Sequence, residues 1–319
     1  MSARLRDRFE IRVPASIANL GSGFDTLAVA VQLYLHLNVR LVSGTNDLNF
    51  KFLDCVVDGE NYIERAFRFL AAQRGGSHPS LEIDVRSEIP IKGGLGSSAA
   101  ATVAGLRLFE AIAGPLPVQG LLNAACALEG HPDNVAAALL GGLTISCQMP
   151  DRSALAVRLE WPPSVSFLVL TPEFSLSTAA SRGVLPDYVS REDAVFNLQR
   201  VALFLQAVQS RNFSLLREAL DDRLHQPYRK SLVPGLEDIL ELAHPDLLGT
   251  CLSGAGPSIV ALAERNLNVV EELLRDAFAP RNVPFVIRRL RAHRSDVPAD
   301  AMAGDQREDG AASLLNSHA

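Results

Sequence analysis

Glu88-Ile89-Pro90-Ile91-Lys92-Gly93-Gly94-Leu95-Gly96-Ser97-Ser98-Ala99-Ala100 is the stretch on which the reading of this chain turns. Its glycines, lacking side chains, let backbone amides come close to an anion. The apolar pattern that follows reads as a helix from Ser97 to Ala113, closed by Gly114-Pro115. The first turn of such a helix offers unpaired N–H donors and a positive dipole end. Two serines at that end can donate hydrogen bonds or ligate a cation, and Ala99-Ala100-Ala101 keeps the helix slim. Together these features make a phosphate cradle. Three other readings compete. The common P-loop is excluded, because no Lys-Ser/Thr pair follows the last glycine. Gly94-x-Gly96-x-x-Ala99 matches the dinucleotide fingerprint formally, but the serine pair and the lack of a strand ending in an acid at the expected distance count against it. The reading without function is a serine N-cap after a flexible turn.

Outward from this turn, Ser80–Arg86 alternates as a strand and Asn61–Arg74 carries one apolar face as a helix, ended by Gly75-Gly76. Phe9–Val13 is strand-like and runs into a small-residue loop, Pro14–Asp25. Thr26–Val42 is strand-like in its second half. Helical patterns at Val118–Leu128 and Pro132–Leu140 each stop at glycine. Strands follow at Leu143–Cys147, Ala154–Trp161 and Ser166–Leu170, with Trp161-Pro162-Pro163 as the candidate domain boundary. The rest reads as helices near Glu192–Gln209, Ser214–Leu224, Pro234–Ala243 and Leu267–Phe278, and strands near Leu248–Leu252, Ile259–Ala263 and Pro284–Leu290. Strands and helices mix without strict alternation, which favours an α+β fold in two domains, 9–160 and 161–291. Residues 292–319 have few large apolar groups and are expected to form a disordered tail.

Composition narrows the function classes. A chain of 319 residues with 48% hydrophobic and 21% charged residues buries a sizeable core without staples. A net charge of −6 excludes a generally basic nucleic-acid-coating protein. No apolar run approaches the roughly 18 residues of a membrane helix, and Met1–Glu10 has no apolar leader. A cytoplasmic protein is expected. Cys55, Cys126, Cys147 and Cys251 are far apart and lie in apolar surroundings, so inert buried thiols are expected rather than disulfides or zinc ligands.

Four further groups can carry chemistry, each with a bland alternative. Glu129-Gly130-His131-Pro132-Asp133-Asn134 can hold a hydrated Mg²⁺ through a carboxylate, or be a helix stop followed by a turn. Asn19 and Asp25 flank a glycine turn; Asp25 suits an ammonium group, yet turn residues need no function. Ser177-Thr178, Arg182 and the segment Asp222–Arg229 bring two arginines that suit a carboxylate, or form a solvated face. Leu252-Ser253-Gly254-Ala255-Gly256-Pro257-Ser258 either approaches a ligand or reverses the chain.

Taken together, Pro14–Asp25, Pro90–Ala100 and Leu252–Ser258 resemble, in order, the three motif stretches of the GHMP kinase superfamily. Pro14–Asp25, Glu129–Ala136 and Asp222–Arg229 resemble motifs of the homoserine kinase family within it. The resemblance spans about residues 9 to 290. It implies an N-terminal domain like ribosomal protein S5 domain 2, a C-terminal ferredoxin-like domain and an active site between them. It implies ATP-dependent phosphorylation of the L-homoserine hydroxyl for threonine synthesis, Mg²⁺ and a homodimer, with no nucleic-acid or membrane partner. By position, Pro90, Lys92, Gly93, Gly94, Leu95, Gly96, Ser97, Ser98 and Ala99 would hold ATP, with Asn61-Tyr62 near the adenine. Ser98 and Glu129 would hold the metal and, with Asn134, form the catalytic set. Asn19, Asp25, His131, Arg182, His225, Arg229 and Gly254 would surround the amino acid. Mevalonate kinases of the superfamily carry an aspartate as base where this chain has an amide, Asn134, so the hydroxyl proton would pass directly to a phosphate oxygen. Ser22 stands where proline is frequent. The rival readings are another small-molecule kinase of the superfamily and a non-catalytic relative.

Overall fold

Residues 7–55 and 59–294 are described by a computed structural model of the chain. The first half is built on a six-stranded sheet. Its strands are β1 (Arg8–Ala18), β2 (Leu27–Thr45), β3 (Leu48–Phe52), β4 (Pro79–Ser87), β5 (Leu143–Gln148) and β6 (Ala154–Leu159). They run in the order β3-β4-β2-β5-β6, with β1 also on β2. Pairing is antiparallel except for β3 with β4. Strand β2 is continuous over 19 residues, where sequence placed only its second half, and β1 follows it with a register shift at Pro14/Ala15. Proline has no N–H to give to a ladder, so the shift falls where the pattern must break.

Four helices cover this sheet: α1 (Tyr62–Gln73), α2 (Ser97–Ala113), α3 (Val118–Glu129) and α4 (Asp133–Leu140). Helix α1 starts because the Asn61 side chain accepts from the amides of Ile63 and Glu64, and it buries Ile63, Phe67 and Leu70. Helix α2 begins at Ser97 as its sequence suggests, but its N-cap is Gly96, in the left-handed region at φ 69°, with no side-chain cap. The serine N-cap reading therefore fails: Ser97 and Ser98 lie inside the first turn.

The chain passes to a second sheet across Trp161-Pro162-Pro163. This sheet contains β7 (Ser166–Pro172), β8 (Gly249–Leu252), β9 (Ile259–Ala263) and β10 (Phe285–Leu290), in the order β10-β7-β9-β8, antiparallel throughout. Helices α5 (Thr178–Gly183) and α6 (Arg191–Ser210) lie between β7 and β8, and Leu267–Phe278 lies between β9 and β10. Strand–helix–strand–strand–helix–strand in this order is the ferredoxin-like arrangement. One apolar core runs through both halves, joining Leu106 and Leu143 to Phe167 and Phe204.

Several sequence expectations shift. Strand β3 and helix α5 were not foreseen. The helix near Ser214–Leu224 stops at Ala219, and the one near Pro234–Ala243 covers only Leu236–Leu240. Cys126 and Cys251 are buried, but Cys147 is exposed and Cys55 half-buried, because both stand near strand ends beyond the core. Residues 292 and 293, expected to belong to a disordered tail, are instead paired with the first half. Ala292 bridges to Val31, and the amide of His293 donates to the carbonyl of Ala30. Residues 295–319 lie outside the described residues.

Candidate active site

A cleft of about 540 Å³ opens between the two halves. It is lined by the glycine-rich turn and α2 on one side, by the loop through Asn19 and Asp25 below, and by Arg182, Arg229 and Gly254 opposite.

The glycine-rich turn is clamped by the second half. The hydroxyls of Ser253 and Ser258 donate to the carbonyls of Gly94 (2.7 Å) and Gly93 (2.5 Å), and the Ser258 amide also donates to Gly93. Gly94 has φ 79°, and a Cβ there would stand 2.6 Å from the carbonyl oxygen of Gly256. The Leu252–Ser258 turn therefore buttresses the first turn; it does more than reverse the chain. Lys92, Gly94, Gly96, Ser97 and Ser98 face the cleft. Pro90, Gly93, Leu95 and Ala99 do not: Leu95 is buried with its carbonyl on the Ser16 amide, and these residues hold the turn from behind.

The end of α3 brings Glu129 to the start of α2. Ser98 Oγ donates to Glu129 Oε2 at 2.8 Å and Thr102 Oγ1 to Oε1 at 2.7 Å. Arg65 Nη2 stands 3.7 Å from Oε1 and also donates to the Leu128 carbonyl. Among the described residues no group of three or more His, Cys, Asp or Glu could hold a metal. One carboxylate beside one hydroxyl fits a hard cation that keeps several waters and takes its other oxygens from phosphates, which is the habit of Mg²⁺.

Asn134 is tied down on both ends. Its Oδ1 accepts from Ser16 Oγ at 2.7 Å, and its Nδ2 faces Asp133 Oδ1 at 3.3 Å. Asp133, almost fully buried, also receives the Asn134 amide and lies 3.1 Å from His131 Nδ1. That hydrogen bond raises the His131 pKa above its ordinary value, against the opposing effect of burial.

The opposite wall carries the charges. Arg182 grips Asp25 through two hydrogen bonds of 2.6 and 3.1 Å. Arg229 is buried to 1% exposure; it donates from Nε to the Ser181 carbonyl and from Nη1 to the Gly254 carbonyl. Burial, then the nearby Arg182 charge, lowers its pKa to about 10, so it stays cationic at neutral pH. The Phe24 ring lies 5.5 and 5.4 Å from the two guanidinium carbons. Asn19 is buried, its Oδ1 accepting from the Asp25 amide and its Nδ2 donating to Gly254. Gly254 lines the cleft, but its carbonyl and amide are both engaged by the protein. His225 is not a cleft residue: it is fully buried behind Phe24. At the far end, Asn61, Tyr62, Phe52 and Val85 line a more apolar recess, with Arg65 stacked on Tyr62 at 4.4 Å.

Sequence reasoning missed Thr102, Arg65, Asp133 and Phe24. Thr102 had a usable signal, lying one helical turn beyond Ser98 on the same face of α2. Asp133 and Phe24 sit inside motifs already singled out. Arg65 reaches Glu129 across elements and carries no local signal.

Comparison with known proteins gives the family and the fold. The family described as GHMP kinases N terminal domain matches residues 61–142, and GHMP kinases C terminal matches residues 204–279. A homoserine kinase of Solibacter usitatus is 41% identical over 293 residues, covering 90% of this chain and 92% of the relative. This chain belongs to the homoserine kinase family of GHMP kinases. A homoserine kinase of Moorella thermoacetica is 39% identical, over 88% of this chain and 96% of that protein. Among solved structures, a homoserine kinase from Cytophaga hutchinsonii superposes with a TM-score of 0.81 at 24% identity, covering 92% of this chain and 98% of that one. A Leishmania major mevalonate kinase in complex with R-mevalonate superposes at 0.69 with 17% identity, over 93% and 100%. These two likenesses establish the two-domain fold.

Proposed function

We propose that this chain transfers the γ-phosphoryl group of ATP to the side-chain hydroxyl of L-homoserine, giving O-phospho-L-homoserine and ADP. The observation that carries the reading is one cleft with an uncapped helix N-terminus on one wall and a paired anion–cation receptor on the other. Phosphoryl transfer requires little covalent help from the protein; it is positioning plus electrostatics. The first-turn amides of α2, Ser97 and Lys92 would receive the phosphates. Ser98 and Glu129 would hold Mg²⁺, which when bound offsets charge on the phosphate oxygens. The recess around Tyr62 would take the adenine. Arg229 and Arg182 would bind the substrate carboxylate and Asp25 its ammonium, so the Asp25–Arg182 pair opens to admit a zwitterion. Asn134, an amide, takes no proton, and the hydroxyl proton would pass to a phosphate oxygen. The same proposal includes domains at 9–160 and 161–291, a homodimer and a cytoplasmic location.

Coupled ADP release with a panel of acceptors tests it. Turnover is expected with L-homoserine, dependent on Mg²⁺, and not with mevalonate or sugars. Equal turnover with mevalonate, or no homoserine-dependent ADP release, rejects it.

A further inference from the structure

We propose that His225 is a positioning residue: as a neutral imidazole protonated on Nε2, it fixes the Arg229 guanidinium in place to receive the substrate carboxylate. The inference rests on the functional reading above for the identity of that substrate, but its structural core does not.

The two ring nitrogens have different partners, and elimination fixes the tautomer. Nε2 lies 2.8 Å from the carbonyl oxygen of Gly21, which can only accept, so Nε2 carries the proton. Nδ1 lies 3.0 Å from Arg229 Nη1, which can only donate, so Nδ1 is the acceptor. A doubly protonated ring would aim an N–H at a guanidinium in a fully buried site. Burial, the leading cause, accordingly lowers the His225 pKa, with the Arg229 charge acting in the same direction and Asp222, Asp25 and the Gly21 carbonyl opposing. Asp222 Oδ2 stands 3.5 Å from Nε2 and favours a proton on that nitrogen; the same carboxylate accepts from the amides of Leu224, His225 and Gln226 and from Asn197, so it also holds the backbone at His225.

The ring also ties the two substrate-facing segments together. Phe24 stacks on it at 5.2 Å between centroids and 22° between planes, and the guanidinium carbons of Arg229 and Arg182 lie 5.4 and 5.5 Å from the centre of the same Phe24 ring. Gly21 and Phe24 belong to the loop that ends in Asp25. One imidazole thus registers the ammonium-binding loop against the carboxylate-binding arginine. Arg229 has four rotatable side-chain bonds, and without this acceptor its orientation is left to two carbonyls.

Two substitutions separate the two nitrogens. In His225→Asn the side-chain oxygen falls near the Nδ1 position and can still accept from Arg229, while the Gly21 bond is lost. In His225→Gln the terminal amide reaches Gly21, but no acceptor stands beside Arg229. Both lose the ring stack equally. The expected result is a KM for L-homoserine raised about tenfold or more in His225→Gln, within about threefold of the parent in His225→Asn, and KM for ATP unchanged in both. Equal KM values in the two variants, or a loss confined to kcat or to ATP, overturns the proposal. The unsubstituted protein gives a second readout that needs no variant to fold: ¹⁵N NMR of the His225 ring should show one protonated nitrogen, Nε2. A proton on Nδ1, or on both, also overturns it. Absence of homoserine turnover in the parent would instead reject the functional reading and leave the tautomer result standing.

Discussion

Replacing Gly94 by alanine tests whether the clamp between the two glycine turns holds the phosphate side of the cleft. Gly76 supplies the control. Its φ of 75° nearly equals the 79° of Gly94, but nothing lies within 4 Å of the position its Cβ would take. Both substitutions place an L-residue in the left-handed region, which costs about 1–2 kcal/mol. Gly76→Ala should cost that and no more. At Gly94 the new methyl would also stand 2.6 Å from the Gly256 carbonyl oxygen and 2.7 Å from that of Ser253. Those atoms are backbone, so relief requires the two turns to part. Parting them weakens the hydrogen bonds from Ser253 and Ser258 to Gly94 and Gly93, each worth about 1 kcal/mol. The sum for Gly94→Ala is about 3–4 kcal/mol. Urea denaturation followed by circular dichroism measures both losses, and steady-state kinetics should show KM for ATP raised only in Gly94→Ala. Equal destabilisation of the two variants, or an unchanged KM for ATP, would refute the idea that the second turn holds the first.

Arg229→Ala should raise KM for L-homoserine by an amount equivalent to about 2–5 kcal/mol, as expected on truncating a buried charged partner, with KM for ATP little changed; a comparable rise for both substrates contradicts the assignment of Arg229 to the carboxylate. Ser98→Ala removes the hydroxyl beside Glu129 but leaves the α2 amides in place. It should raise the Mg²⁺ concentration giving half-maximal rate, most of the activity returning at saturating Mg²⁺; loss that no Mg²⁺ concentration restores would count against it. Asn134→Ala should lower kcat by less than about a hundredfold, whereas losing a true general base costs about 10²–10⁴, so a loss of about a hundredfold or more would overturn direct transfer of the hydroxyl proton to a phosphate oxygen. His225 adds a pH dependence. Its pKa is lowered in the folded state, so below the ordinary value of about 6.5 the unfolded chain binds a proton that the folded chain refuses. Stability should therefore fall with falling pH by up to about 1.4 kcal/mol per pH unit below that point. His225→Asn should show a shallower fall between pH 7 and 5; parallel stability curves would show that His225 does not carry this dependence.

The parts of the fold legible in sequence are those whose signals are local. Glycine and serine mark the start of α2 to the residue, and alternation of Leu81, Ile83 and Val85 marks β4. What failed depends on distant partners. Strand β3 is five residues whose place is set by pairing with β4, some thirty residues on. The helical pattern across Ser214–Leu224 breaks after Ala219 because the Asp222 side chain accepts the amides of Leu224, His225 and Gln226, offering the backbone an alternative to helix. In the site, the motifs named segments that the fold brings to one cleft, but not the different placements of the residues inside them. His225 and Arg229 stand four residues apart in one polar run; only the Gly21 and Phe24 contacts, about two hundred residues away, bury the first and leave the second facing the cleft.

Such distant contacts also explain why the glycine-rich turn needs the second half of the chain. A trans peptide group points its C=O and the following N–H in opposite directions. When Ser258 takes the carbonyl of Gly93 and Ser253 that of Gly94, the amides of Gly94 and Leu95 are turned away from the Leu252–Ser258 turn. Two serine hydroxyls thus choose the facing of two backbone donors that the glycines alone would leave free to rotate. The same turn also reaches the other side of the cleft, since the Gly254 carbonyl accepts from both Asn19 and Arg229. One seven-residue segment therefore bonds to the glycine-rich turn through Ser253 and Ser258 and to Arg229 and Asn19 through Gly254, so both sides of the cleft are tied to a single turn.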